Sequence, residues 1–209
     1  MSATETKPNT DSLNETEERL LDCALTVFAA QGYAGASVRE IIQAAGVTRP
    51  VLYYYCKNKE HLFKRVVQWT HDDAYRELDQ QLAAASGLTD KLRVILRGTF
   101  AFCAKDRRVP QLMFQTTFGP AVTELADYLQ AIAQRRFEIV ARVIQEGIDS
   151  GELHGGSRES LALVFCSLMD YHANALSRTP SPEDLLTPAL ADELVDTFLH
   201  GVATERKAQ

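Results

Sequence analysis

Between residues 37 and 56 the sequence SVREIIQAAGVTRPVLYYYC leaves the backbone little choice. Ser37 with Glu40 three residues on is a capping-box signature, and Val38, Ile41, Ile42 and Ala45 then recur on one side of a short helix that ends at Gly46. Gly46 can enter the left-handed conformation without a Cβ penalty. Thr48 next offers a hydroxyl to cap a second helix, whose first turn suits Pro50 and which runs to about Cys56. Two short helices joined by a tight glycine turn form a helix-turn-helix unit, here spanning about residues 37–56.

The remaining chain reads as helix almost everywhere, with no alternating apolar pattern long enough for a strand. Asn14 and Glu17 open a first helix that carries Leu21, Ala24, Leu25 and Phe28 to a stop at Gly32. Asn58 caps a fourth helix that lasts into the 80s. Beyond it, helices are expected from Thr89 to Lys105, Pro110 to Phe118, Thr123 to Ser150 and Ser157 to Ser177. Pro180, Ser181 and Pro182 mark a linker, and Thr187-Pro188 opens a last helix bearing Leu190, Leu194, Phe198 and Val202. The expectation is an all-α chain of about nine helices: a polar tail over 1–12, a helical unit over 13–70 and a second helical body over 71–205.

Charge separates the same two parts. The chain of 209 residues carries a formal net charge of −6. All of it falls on residues 66–209, while residues 39–65 set Arg39, Arg49, Lys57, Lys59, Lys64 and Arg65 against only Glu40 and Glu60. A basic island in an acidic protein is either a solvated face or a surface that docks on phosphates. No run of about 18 apolar residues occurs, and the N-terminus is polar and acidic where a signal peptide would be basic and then apolar, so a cytoplasmic location is expected. Cys23, Cys56, Cys103 and Cys166 lie far apart with no histidine at ligand spacing. They read as small hydrophobes, with no metal or cofactor implied.

At about 100° per residue the second helix of the unit splits into two arcs. Leu52, Cys56, Val51 and Tyr55 fall on an apolar arc, while Arg49, Pro50, Tyr53 and Tyr54 fall on the other with Thr48 at its N-terminus. A phenol suits a groove wall, because it donates to a phosphate oxygen, packs against sugar and loses little rotamer entropy. Tyr53 and Tyr54 are expected there, and Lys59 extends the face onto the next helix. The alternative for all three tyrosines is packing with polar tips, and the geometry favours it for Tyr55.

The run from Gly32 to Leu62, GYAGASVREIIQAAGVTRPVLYYYCKNKEHL, resembles the DNA-binding domain of the tetracycline-repressor (TetR) family of bacterial transcription regulators. The resemblance covers roughly residues 13–70 and rests on Ser37, Ile41, Ala45-Gly46-Val47-Thr48, Leu52-Tyr53 and Asn58-Lys59-Glu60 in order. It implies an all-helical homodimer on a palindromic operator, with a C-terminal body that dimerises and binds a small effector. Thr48, Arg49, Tyr53, Tyr54, Tyr55 and Lys59 stand where the family contacts DNA, which opposes the helical-wheel reading of Tyr55; Ser37 and Pro50 complete the candidate set. This sequence departs from the family pattern at Cys56, usually an aromatic, at Ile42, usually Ala, and at Pro50, which lacks a backbone donor.

Ser157–Ser177 is apolar on most sides, so its own domain and a second surface must both cover it. Leu161, Phe165, Leu168, Leu190, Leu194, Phe198 and Val202 are the expected dimer seam, the alternative being a core wholly within one subunit. An effector cavity for an apolar or aromatic molecule is expected among Trp69, Phe100, Met113, Phe114, Thr117, Phe118, Phe137, Met169, Asp170 and His172, with ordinary core packing the alternative for each of them. Two rival readings remain. An enzyme would need His154, Asp170 and His172 as an acid–base set, but no nucleophile motif or phosphate loop accompanies them. A helical module that binds a protein partner instead of DNA is the other.

Overall fold

Two glycines set the course of the N-terminal helices in the computed structural model, which describes residues 14–119 and 121–201, with only the backbone of Phe118. The expected tail over 1–12 and Val202 lie outside the described residues. Helix α1 (Glu15–Gly35) starts where the Asn14 side chain accepts from the Glu17 amide at 3.0 Å, and Glu15, Glu17 and Glu18 place negative charge on its positive end. Gly32, at φ +69°, breaks the helix as expected, but one more turn follows to Gly35. A side chain at Gly32 would also meet Gln115, whose amide donates to the Ala29 carbonyl at 2.6 Å.

Helix α2 (Val38–Ala45) buries Ile41 and Ala45 and ends at Gly46, which is left-handed at φ +63°. Helix α3 (Arg49–Tyr55) follows after three residues, Gly46 to Thr48. Ser37 and Thr48 have the extended backbone of capping residues, but neither side chain makes a capping bond. Both are exposed, so water can satisfy the first-turn amides.

Helix α4 (Lys59–Ala84) is capped by Asn58, which accepts from the His61 amide at 2.7 Å. Its first half buries Leu62, Phe63, Val66 and Val67, and Leu82 near its far end enters a second core. Helices α5 (Gly87–Lys105), α6 (Arg108–Phe118), α7 (Ala126–Asp149, after one 3-10 turn at Thr123–Leu125), α8 (Arg158–Leu176), α9 (Pro182–Leu185) and α10 (Pro188–His200) complete the described chain. Helix α5 starts two residues before the expected Thr89. The single turn α9 lies in the expected linker and brings the described α-helices to ten. No strand occurs among the described residues.

One core surrounds Phe28, Tyr33 and Phe63, with the Phe63 ring edge-on to Phe28 at 5.1 Å and to Tyr33 at 5.4 Å. Val109 and Leu112 of α6 join it, so that helix packs with α1 although it lies far along the chain. Arg108 fastens the junction. Its guanidinium donates to Asp22 at 2.7 Å, to Thr26 at 2.8 Å and to Asp106 at 2.6 Å. The second core gathers Leu92, Leu96, Phe100, Val140, Ile144, Phe165, Met169 and Val195 from α5, α7, α8 and α10.

Candidate nucleic-acid interface and internal cavity

Helix α3 has one inside and one outside. Leu52 and Cys56 are fully buried, Val51 and Tyr55 are half-buried, and Arg49 and Pro50 are exposed beside Tyr53 at 45% and Tyr54 at 82% exposure. The Arg49 guanidinium lies 6.0 Å from the Tyr53 ring centre, so the two share one patch. Ile42 packs against the first core, of which Cys56 is a buried member. Tyr55 is neither wholly core nor open: its hydroxyl hydrogen-bonds the Asn14 side chain at 2.8–3.0 Å, fastening the end of α3 to the cap of α1. Lys59 lies 4.6 Å from the Tyr33 ring centre and donates to the Ala34 carbonyl at 3.3 Å. An ammonium has three donors, so that bond leaves others for a phosphate. Beneath this surface Arg65 pairs with the buried Glu17, which removes the cost of an uncompensated interior carboxylate.

A cavity of about 720 Å³ lies among α4, α5, α6, α7 and α8. Trp69, Met113, Met169 and Asp170 line it as expected from the sequence. Other members of the expected set lie elsewhere. Phe100 is fully buried in the second core, Phe137 packs against that core, and Phe114 lies under the Arg178 guanidinium, 3.8 Å from its ring centre. Thr117 is exposed, and His172 directs Nδ1 to the Leu168 carbonyl at 2.7 Å. The side chain of Phe118 is outside the described residues.

Three lining residues, His71, Thr99 and Arg136, carried no signal in the sequence. Arg136 donates to Asp170 at 2.8 Å across the α7–α8 contact, a pairing between distant positions that periodicity cannot announce. Burial pushes the Asp170 carboxyl above its usual range, although the Arg136 guanidinium pulls the other way. Burial likewise holds the His71 imidazole below its ordinary value, so the ring is neutral at pH 7; it lies edge-on to Phe102 at 5.1 Å. Leu25 of α1 also lines the cavity, with Val109, Pro110 and Met113 of α6. A molecule held there would touch both the helix under the α3 unit and the second body.

Helix α8 shows its outward face through Leu163 at 58%, Val164 at 52% and Tyr171 at 72% exposure. Phe165, expected on the dimer seam, is instead buried in the subunit's own core against Phe198, with ring centres 5.2 Å apart. Leu161, Leu168, Leu190, Leu194 and Phe198 are half-buried. Of the three residues considered as an acid–base set, only Asp170 lines the cavity. Among the described residues no helix is long and apolar enough to cross a membrane, and no group of three His, Cys, Asp or Glu could hold a metal ion.

A helix-turn-helix unit with an exposed basic and phenolic face, joined to a helical body around a cavity, defines a class of regulatory proteins. Residues 20–66 match the family model described as bacterial regulatory proteins, tetR family. That segment, which holds the whole helix-turn-helix, is of the TetR type. The chain is 25% identical over 186 residues to the fatty acid metabolism regulator protein of Bacillus subtilis (strain 168), covering 88% of this chain and 94% of that relative. Its fold matches the transcriptional regulator FadR from Bacillus subtilis in complex with stearoyl-CoA, with a TM-score of 0.77 at 21% identity over 89% of this chain and 99% of that one. It also matches AibR in complex with isovaleryl coenzyme A and operator DNA, with a TM-score of 0.69 at 18% identity over 88% and 97% of the two chains.

Proposed function

We propose that this protein is a transcriptional repressor in the cytoplasm that binds a palindromic operator as a homodimer and leaves it when an acyl thioester fills the cavity. The observation that carries the DNA-binding part is the division of α3: Leu52 and Cys56 are locked in the core while Arg49, Tyr53 and Tyr54 face outward. A seven-residue helix held from beneath in this way presents side chains to a major groove at little entropic cost. Thr48, Arg49, Pro50, Tyr53, Tyr54 and Lys59 make up the contact set. Ser37 lies at its edge, and Tyr55 serves it indirectly by fastening α3 to Asn14.

Twofold symmetry would come from the outward face of α8 together with α10, because an isologous seam brings the same apolar stripe of both copies together. The effector class rests on the apolar cavity wall and on the two similar regulators whose structures hold coenzyme A thioesters. Release requires the effector to prefer one spacing of the two α3 helices, since equal affinity shifts nothing. Leu25 and the α6 residues on the cavity wall give it direct purchase on α1, beside the lever of α4. A coupling of about 1–3 kcal/mol would change operator affinity roughly 5- to 150-fold.

Selection of randomised duplexes by the full-length protein tests this reading. An inverted repeat should be enriched, and Arg49→Ala should relax the preference within each half-site. Recovery of no common sequence would overturn it.

A further inference from the structure

The polar corner of the cavity is built from two helices. Asp170 and Asn174 stand one turn apart on α8, and Arg136 faces them from α7. Arg136 donates to Asp170 Oδ2 at 2.8 Å, while the Asn174 amide donates to the Asp170 carbonyl at 2.8 Å. These bonds leave two atoms buried with no partner: Arg136 Nε, a donor, and Asn174 Oδ1, an acceptor. Buried polar groups normally find partners, so each such atom is a place where a ligand group can gain a bond that solvent does not supply.

The chemistry of the corner discriminates among ligand groups. A plain hydrocarbon chain lying there would strip water from the Arg136–Asp170 pair and satisfy neither atom. A carbonyl serves only the donor. An ammonium serves only the acceptor and meets the Arg136 charge, and a carboxylate competes with Asp170 for Arg136 while meeting the Asp170 charge. A hydroxyl accepts from Arg136 Nε and donates to Asn174 Oδ1 with no charge of its own.

We propose that the Arg136–Asp170–Asn174 corner selects an effector bearing a hydroxyl group on its apolar chain over the unsubstituted chain of the same length. This deepens the acyl-thioester reading and rests on it for the remainder of the molecule. Hydroxyacyl thioesters are the class it names.

Trp69 is the only tryptophan and lines the cavity, so its fluorescence reports occupancy in the full chain. The probes are dodecanoyl-CoA, its hydroxylated forms at the β-carbon, at mid-chain and at the ω-carbon, and dodecanol. At least one hydroxyacyl-CoA should bind about tenfold more tightly than dodecanoyl-CoA, the gain of one or two net hydrogen bonds. Asn174→Leu should remove that advantage. Arg136→Met with Asp170→Leu, which replaces the pair by apolar volume instead of leaving half of it, should reverse it in favour of dodecanoyl-CoA. Thermal melts confirm that each variant is folded. Tighter or equal binding of dodecanoyl-CoA in the wild type, or a hydroxyl preference that survives both variants, overturns the proposal while leaving the acyl-thioester reading standing. Binding of dodecanol with the same dependence on both variants, while no thioester binds, upholds the hydroxyl corner and removes the thioester. No response to any probe overturns both.

Discussion

Around Phe28 and Phe63 the interior is apolar except for Glu17, which Arg65 neutralises, and the polar side chains of α3 face outward. Around Phe100 and Phe165 the arrangement turns inside out: Arg136, Asp170, Asn174 and His71 line a half-open cavity between the helices while Leu163, Val164 and Tyr171 stand at the surface. On the proposed function, the difference follows from what each part would meet. A face that reads a rigid duplex needs a firmly packed support, so its core is closed and its chemistry lies outside. A body that must respond to a small molecule and cover a second subunit keeps polar anchors within and apolar area without. Helix α4 enters both cores, while α6 packs in the first core, lines the cavity and is fastened to α1 by Arg108 through Asp22 and Thr26.

The largest expected contrast lies between leucines on the two sides of this comparison. Leu52→Ala should destabilise the fold by about 2–5 kcal/mol, because it opens a cavity under α3. Leu163→Ala should cost the separated subunit less than about 0.5 kcal/mol, since within it the residue stands at the surface, and any further loss should depend on protein concentration as a weakened seam does. Urea melts of both variants check this, and equal costs would break the comparison. The next effect is on assembly. Glu introduced at both Leu163 and Val164 should leave helical circular dichroism intact but give monomers in sedimentation, because like charges would meet across the seam. A persistent dimer would show that the outward face of α8 is covered in some other way.

How much of this could be read from the sequence differs between the same two regions. The turn at Gly46 was legible because only glycine takes a positive φ there without strain. The two faces of α3 were legible because a short helix buried on one side obeys its period strictly. Capping by Ser37 and Thr48 was misread: a favourable residue type does not fix the rotamer, and both hydroxyls remain at the surface. On α8 the sequence is apolar on most sides, so periodicity could not choose the inner side, and Phe165 was placed outward although it packs on Phe198. The cavity was the least legible, because its wall converges from several helices. Arg136 and Asp170 become partners only once α7 and α8 are packed.

A smaller effect concerns pH. Burial keeps the folded-state pKa of His71 below its ordinary value of 6.5, so the unfolded chain takes up the proton more readily. The stability tied to the neutral ring is therefore full above pH 6.5 and declines as the pH falls through 6.5 and below. Melting temperatures should drop less steeply between pH 7 and pH 5 in His71→Leu than in the wild type. Parallel profiles would mean that His71 is wetter than its place beside Phe102 implies.

The central claim is that the outward face of α3 reads DNA while its inward face only supports it. It is tested most directly by the affinity of Tyr53→Ala for the selected operator, measured by fluorescence anisotropy beside a thermal melt of the same sample. The account predicts about tenfold weaker binding, from the loss of a phosphate contact and ring packing, with a melting temperature close to that of the wild type. Unchanged affinity in a folded Tyr53→Ala protein would contradict it.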